Sequence, residues 1–153
     1  MATRTISDAG GNYNATATWV EGVVPTSADA VVATATSGQL TVNVSSAALS
    51  INFTNYVNTL TMNNNLTVSG SVTLVAAMNI SGTGVLYVIA TATLTSNGKA
   101  WPRALYFQGT ITITLADDWT VAGEWGTSGS GTITVNGNKI YAQAGVSIGR
   151  PTQ

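Results

Sequence analysis

A three-residue pattern runs through the chain: apolar, then small polar or Tyr, then apolar. It reads Leu40-Thr41-Val42, Leu49-Ser50-Ile51, Leu60-Thr61-Met62, Leu66-Thr67-Val68, Val72-Thr73-Leu74 and Met78-Asn79-Ile80. It continues through Leu86-Tyr87-Val88, Ala92-Thr93-Leu94, Leu105-Tyr106-Phe107, Ile111-Thr112-Ile113 and Trp119-Thr120-Val121, and ends with Ile133-Thr134-Val135, Ile140-Tyr141-Ala142 and Val146-Ser147-Ile148. Successive side chains of an extended chain point to opposite faces, so the outer two residues share one face and the central one takes the other. That is the signature of a half-buried strand, and β-branched Thr, Val and Ile suit a pleated surface. Between the motifs lie Asn63-Asn64-Asn65, Ser69-Gly70-Ser71, Ser81-Gly82-Thr83-Gly84, Ser96-Asn97-Gly98, Ser128-Gly129-Ser130-Gly131 and Asn136-Gly137-Asn138. Gly and Asn tolerate positive φ and Ser and Asn bond their own backbone, so each cluster predicts a bend. No window of a dozen residues combines helical periodicity with caps. The chain reads as all-β.

The spacing narrows the choice of β fold. Motifs begin at Leu60, Leu66, Val72 and Met78, six residues apart. Short strands joined by two- or three-residue corners predict a short β-solenoid (β-helix) with an N-terminal cap. The alternative is an antiparallel β-sandwich or jelly roll. The wider spacing before Asn55 fits it, and Asn136-Gly137 would then be a type I′ hairpin turn. Either way the chain divides into residues 1–30 as N-terminal arm and cap and 31–153 as the repeat body of a single domain.

Charge changes the picture more than length does. The chain has 153 residues with 44% hydrophobic but only 7% charged residues: five Lys+Arg, six Asp+Glu, no His and no Cys. About a quarter is usual for charged residues. Without Cys or His, zinc fingers, haem or iron–sulfur ligation, disulfides and His-based triads are excluded, and no cofactor is expected. Five basic residues make no footprint for nucleic acid. Between Ala30 and Gly98 there is no formal charge, yet polar residues interrupt the stretch too often for a membrane span. The apolar content argues against disorder. The N-terminal run lacks the apolar core of a signal peptide, which predicts synthesis and assembly in a cytoplasm.

Few residues offer chemistry. Asp117-Asp118, with Glu124 and Arg103, is the one acidic cluster. Adjacent strand residues point opposite ways, so Asp117 and Asp118 read as a turn before Trp119 rather than a glycosidase pair. Gly82-Thr83-Gly84 and Gly126–Gly131 lead into no helix and carry no Gly-Lys-Ser/Thr, so they read as turns, not phosphate loops. Five Asn-x-Ser/Thr sequons, at Asn14, Asn43, Asn52, Asn65 and Asn79, follow from composition. Trp19, Trp119 and Trp125 stand at motif or cap positions, as core or end plugs. Trp101, beside Pro102 and Arg103 in the one long gap of the repeat, reads either as an exposed interface anchor or as a lid over a corner.

A stretch from Gly11-Asn12-Tyr13-Asn14 through Thr18-Trp19-Val20-Glu21-Gly22-Val23-Val24-Pro25 to Asp29-Ala30-Val31 carries a resemblance. It is similar to the "G-N-W…W-x-x-G-x-V-P-x-x-x-D-x-V" opening that precedes Thr/Asn-rich β-helix repeats in phage structural proteins and in pectin-lyase-like bacterial surface β-helices. Tyr13 stands where that pattern has Trp, and the chain is shorter than most surface β-helices. The resemblance implies a non-enzymatic virion protein: a capsid decoration or cement protein, or a short fibre-like component, that docks on the shell and bridges subunits. Its expected partners are the major capsid or other virion proteins, with neither nucleic acid nor membrane bound. Open ladder edges and few charges predict a homo-oligomer, a trimer favoured, with Arg4, Trp101 and Arg103 as candidate contacts. The alternatives are a carbohydrate-binding module or surface adhesin using outward Tyr and Thr rows, and, third, a small β-helical polysaccharide lyase or hydrolase.

Overall fold

A computed structural model describes residues 1–128 and 132–148. The chain winds into a parallel β-solenoid of about six turns with three faces, each turn visiting the faces in the same order. The first face stacks Thr3–Thr5, Ala30–Val32, Ser50–Asn52, Val72–Thr73, Ala92–Thr95, Thr112–Leu115 and Thr132–Thr134. The second stacks Gly11–Asn12, Leu40–Val42, Thr59–Met62 and Asn79–Gly82, then, after a break, Trp119–Val121 and Ile140–Ala142. The third stacks Ser46–Ala48, Leu66–Val68, Leu86–Val88, Leu105–Gln108, Trp125–Ser128 and Val146–Ile148.

From Ala30 onward, partners on adjacent turns lie between 19 residues apart, as Leu86 and Leu105 do, and 22, as Val72 and Leu94 do. The six-residue spacing of the motif is therefore the step between faces, and three such steps with their corners close one turn. All strand pairs between these elements are parallel, which rules out the sandwich and the jelly roll. Asn136 (φ 51°) and Gly137 (φ 84°) do have the paired positive φ of a type I′ turn. They turn a corner between the first and second faces, however, rather than closing a hairpin. The Gly-rich reading of residues 126–128 also needs correction: Gly126, Thr127 and Ser128 are strand residues paired with Tyr106, Phe107 and Gln108. Residues 129–131 of that cluster lie outside the described residues.

In-register stacking turns the motif into columns of like side chains. Val31, Ile51, Val72, Leu94 and Leu115 form one inward column; Leu66, Leu86 and Leu105 form another. All are buried. Burial of such side chains from several turns is the main stabilising term of the fold.

The corners are held by side-chain amides. Asn58, Asn64, Asn97 and Asn138 each donate Nδ2–H to a carbonyl one turn earlier, at Ser37 (2.8 Å), Asn43 (2.8 Å), Leu74 (2.7 Å) and Leu115 (3.0 Å). Each supplies a ladder bond where the backbone turns away from the strand direction. At Gly82-Thr83-Gly84 the turns approach so closely that a Cβ on Gly84 would stand 2.1 Å from the Asn64 carbonyl oxygen. Only glycine fits there.

The two ends differ. At the N-terminal end, residues 18–21 run antiparallel along the outer edge of Thr3–Thr5. Ser7 N–H donates to Thr18 O (2.8 Å), Val20 N–H to Thr5 O (2.9 Å), and Thr5 N–H to the Glu21 carboxylate (2.8 Å). A single 3₁₀ turn, Thr16–Thr18, carries the chain there. Tyr13 and Trp19 close this end of the core in an edge-to-face pair (5.1 Å between centroids), with Trp19 Nε1–H donating to Tyr13 O and Tyr13 Oη–H to Ala47 O. At the other end, Trp125, Ile133, Val135, Ile140 and Ala142 line a concavity of about 230 Å³.

Candidate functional site

The Asp117-Asp118 pair sits at the corner before Trp119. Its two carboxylates diverge along the solenoid axis. Asp117 reaches back one turn and accepts Ser96 N–H (2.7 Å) and Asn97 N–H (2.5 Å). Asp118 reaches forward one turn and accepts Lys139 N–H (2.8 Å). A pair that shared a substrate would have to converge; this pair clamps three successive turns instead. Ser96, buried in the same corner, donates Oγ–H to Asp118 O (2.8 Å) and completes the clamp.

The remaining carboxylates are also bonded. Asp29 accepts Thr26 N–H (3.0 Å) and Thr26 Oγ–H (2.9 Å), with the Arg4 guanidinium 3.6 Å away. The Thr26 bonds, aided by Arg4, hold its carboxyl below the usual range. Burial pushes Glu21 up, but the bonds from Thr5 and the charge of Arg4 bring it below its usual value. Asp8 accepts Thr36 Oγ–H (2.7 Å). Glu124 accepts Tyr106 Oη–H (2.7 Å), and that bond, followed by burial, raises the Tyr106 phenol. All six carboxylates thus accept a hydrogen bond from the chain itself.

The three candidate contact residues separate. Trp101 is inside the solenoid, 1% exposed. It occupies the second face where the strand is missing, bridges Val121, and donates Nε1–H to Ala104 O (3.2 Å). The long gap in the repeat is therefore a turn whose second-face strand is reduced to this one residue. An anchor role for its indole on the surface is corrected to a core role. Arg4 lies on the first strand in register with Val31, and its charge is directed at Asp29 within the cap. Arg103 is exposed at the corner next to Gly123 and forms no ion pair among the described residues.

One outward feature stands apart. On the third face the outward positions Ala47, Thr67, Tyr87, Tyr106 and Gly126 fall in one row. Tyr87 and Tyr106 stack there with centroids 5.8 Å apart and planes 21° apart, and Glu124 flanks them through the Tyr106 hydroxyl. Both tyrosines stand at the centre of their motifs. Their adjacency becomes visible only once the turn length of about twenty residues is known, because the six-residue step hides it.

Among the described residues no three acidic side chains gather as metal ligands, and no helix is long and apolar enough to cross a membrane. No family model, curated protein or solved structure matches the chain.

Proposed function

We propose that this protein is a non-enzymatic structural component of a phage particle, a capsid decoration or cement protein that docks on the shell and bridges its subunits. The observation that carries the non-enzymatic reading is the use made of the carboxylates. All six accept bonds from the chain, and Glu21, Asp29, Asp117 and Asp118 accept backbone N–H groups that would otherwise be unpaired at corners or edges. Groups that an enzyme would aim at a substrate are spent on holding turns together. A rod of stacked turns with one end closed and the other bearing a half-buried apolar concavity supports attachment of one end to a larger body. The phage setting itself rests on the resemblance of the Gly11–Val31 stretch.

The working state is a homo-oligomer, a trimer favoured, bound to major capsid or other virion proteins, with Arg103 as the exposed contact candidate. The test is sedimentation of the purified chain alone and with shells of the phage that encodes it. Stoichiometric co-sedimentation supports the reading, with weaker binding for Arg103→Ala. A monomer that binds no shell protein refutes it. Removal of residues 1–10 is not a clean probe of docking, because they supply the first strand of the ladder.

A further inference from the structure

We propose that the third face carries a glycan-binding site centred on Tyr87, Tyr106 and Glu124, selective for neutral oligosaccharides. It does not rest on the docking reading, although Arg103, the contact candidate of that reading, stands at the corner that leads into the Tyr106 strand. Three observations converge on it. The outward row grows from Thr67 to two stacked phenols and then drops to Gly126, which has no side chain. The two phenols are therefore the high point of the row, which continues through the buried Gly126 to Ser147 in the ladder. Both rings are partly exposed although no buried polar group requires them there. Elsewhere this row has the small residues Ala47, Thr67, Gly126 and Ser147, which serve the ladder equally well.

The third observation is the acceptor. Glu124 takes one hydrogen bond from Tyr106 and, as a carboxylate with about four lone-pair sites, keeps acceptor capacity for other donors. A pyranose matches this set. Its apolar C–H face lies against an electron-rich ring face, and its hydroxyls donate to the carboxylate. A phosphate or acidic sugar does not match, because the charge that flanks the rings is the negative one of Glu124. A flat hydrophobic ligand would have no use for Glu124. The wall is open rather than enclosed, so each sugar is held on one side. Binding is weak per site and grows with the number of sites presented together.

The experiment measures binding of the full chain to immobilised neutral oligosaccharides of four or more units (gluco-, galacto-, manno- and N-acetylglucosamine series), with sialylated oligosaccharides alongside. Wild type is expected to bind at least one neutral series and no sialylated one. Tyr106→Ala should lose at least tenfold in affinity and Glu124→Gln several-fold, while Tyr106→Phe keeps most of it. Far-UV circular dichroism shows whether each variant is folded, and Thr67→Ala on the same row is the control that should bind as wild type does. Failure of wild type to bind any neutral series at millimolar sugar overturns the proposal. So does unchanged binding by folded Tyr106→Ala, or equal loss in Thr67→Ala. If Tyr106→Ala does not fold, Glu124→Gln and Tyr106→Phe decide by the same criteria.

Discussion

Leu86→Ala measures how tightly the columns are packed. Leu86 is fully buried on the third face, in register with Leu66 on one side and Leu105 on the other. Truncation of a buried Leu costs about 2–5 kcal/mol, and the amount depends on how far the site can collapse. Here it can collapse little. The backbone on each side is pinned by parallel ladder bonds at a spacing of about 4.8 Å, so neighbouring leucines cannot move in without breaking them. The expected cost is therefore in the upper part of the range, about 3–5 kcal/mol. With a urea m-value of about 2 kcal/mol/M, the unfolding midpoint falls by roughly 1.5–2.5 M. Thr67→Ala, outward on the adjacent turn, should stay within about 0.5 kcal/mol of wild type. The assay is urea unfolding followed by far-UV circular dichroism, with all variants fitted to one m-value. A loss below about 1 kcal/mol for Leu86→Ala, or equal losses for the two variants, would refute the inward and outward assignment.

Four further outcomes are expected. Tyr56→Phe should cost about 1–3 kcal/mol, because removing the buried hydroxyl leaves Leu40 N–H (3.0 Å) without its acceptor and takes away the donor that Thr59 O (2.8 Å) and Gly38 O (2.9 Å) share; thermal unfolding reads it. Asp29 and Glu21 titrate below their usual values when folded, so their contribution is present above about pH 4 and is lost as pH falls through the lowered values. Acid should therefore loosen the cap first, seen as a change in Trp19 fluorescence that Asp29→Asn removes in part. Burial pushes Tyr56 up to about 12, so its contribution is complete below its usual value near 10 and declines as pH rises toward 12; a fall in melting temperature over that interval checks it. EDTA and reducing agents should leave the melting temperature unchanged, since the chain has no Cys or His and its carboxylates are bonded to its own donors.

Much of this architecture is legible in the sequence because alternation is a local property. Leu40-Thr41-Val42 and Leu66-Thr67-Val68 show the buried, half-buried, buried profile their residue types predict. What the alternation does not contain is the partner of each strand. Register depends on corner lengths summed over a turn, and these vary from one turn to the next. The Trp101 turn is the clearest case: Ala100-Trp101-Pro102 has no motif, and only the ladder on either side places the indole inward. Gly126-Thr127-Ser128 is the converse. Its composition favours a turn, and pairing with Tyr106–Gln108 on the preceding turn overrides that preference. The carboxylates were recognisable as a poor catalytic pair, but their task as clamps between turns follows from distances that span about twenty residues.

The parallel register underlies every assignment made above, and a pair of introduced cysteines tests it directly in a chain that has none of its own. Thr41 and Thr61 are in-register outward neighbours on the second face. Their Cα atoms should lie about 4.8 Å apart, within the range of about 4.4–6.8 Å that a disulfide spans. Mild oxidation of the Thr41→Cys, Thr61→Cys double variant should form an intrachain disulfide in nearly all molecules, the oxidant taking two electrons and two protons, read as the loss of both free thiols in a single chain whose mass falls by two hydrogen atoms. The pair Thr41→Cys, Thr67→Cys, on different faces, should keep both thiols free. Free thiols in the first pair, or a cross-link in the second, would contradict the three-faced ladder.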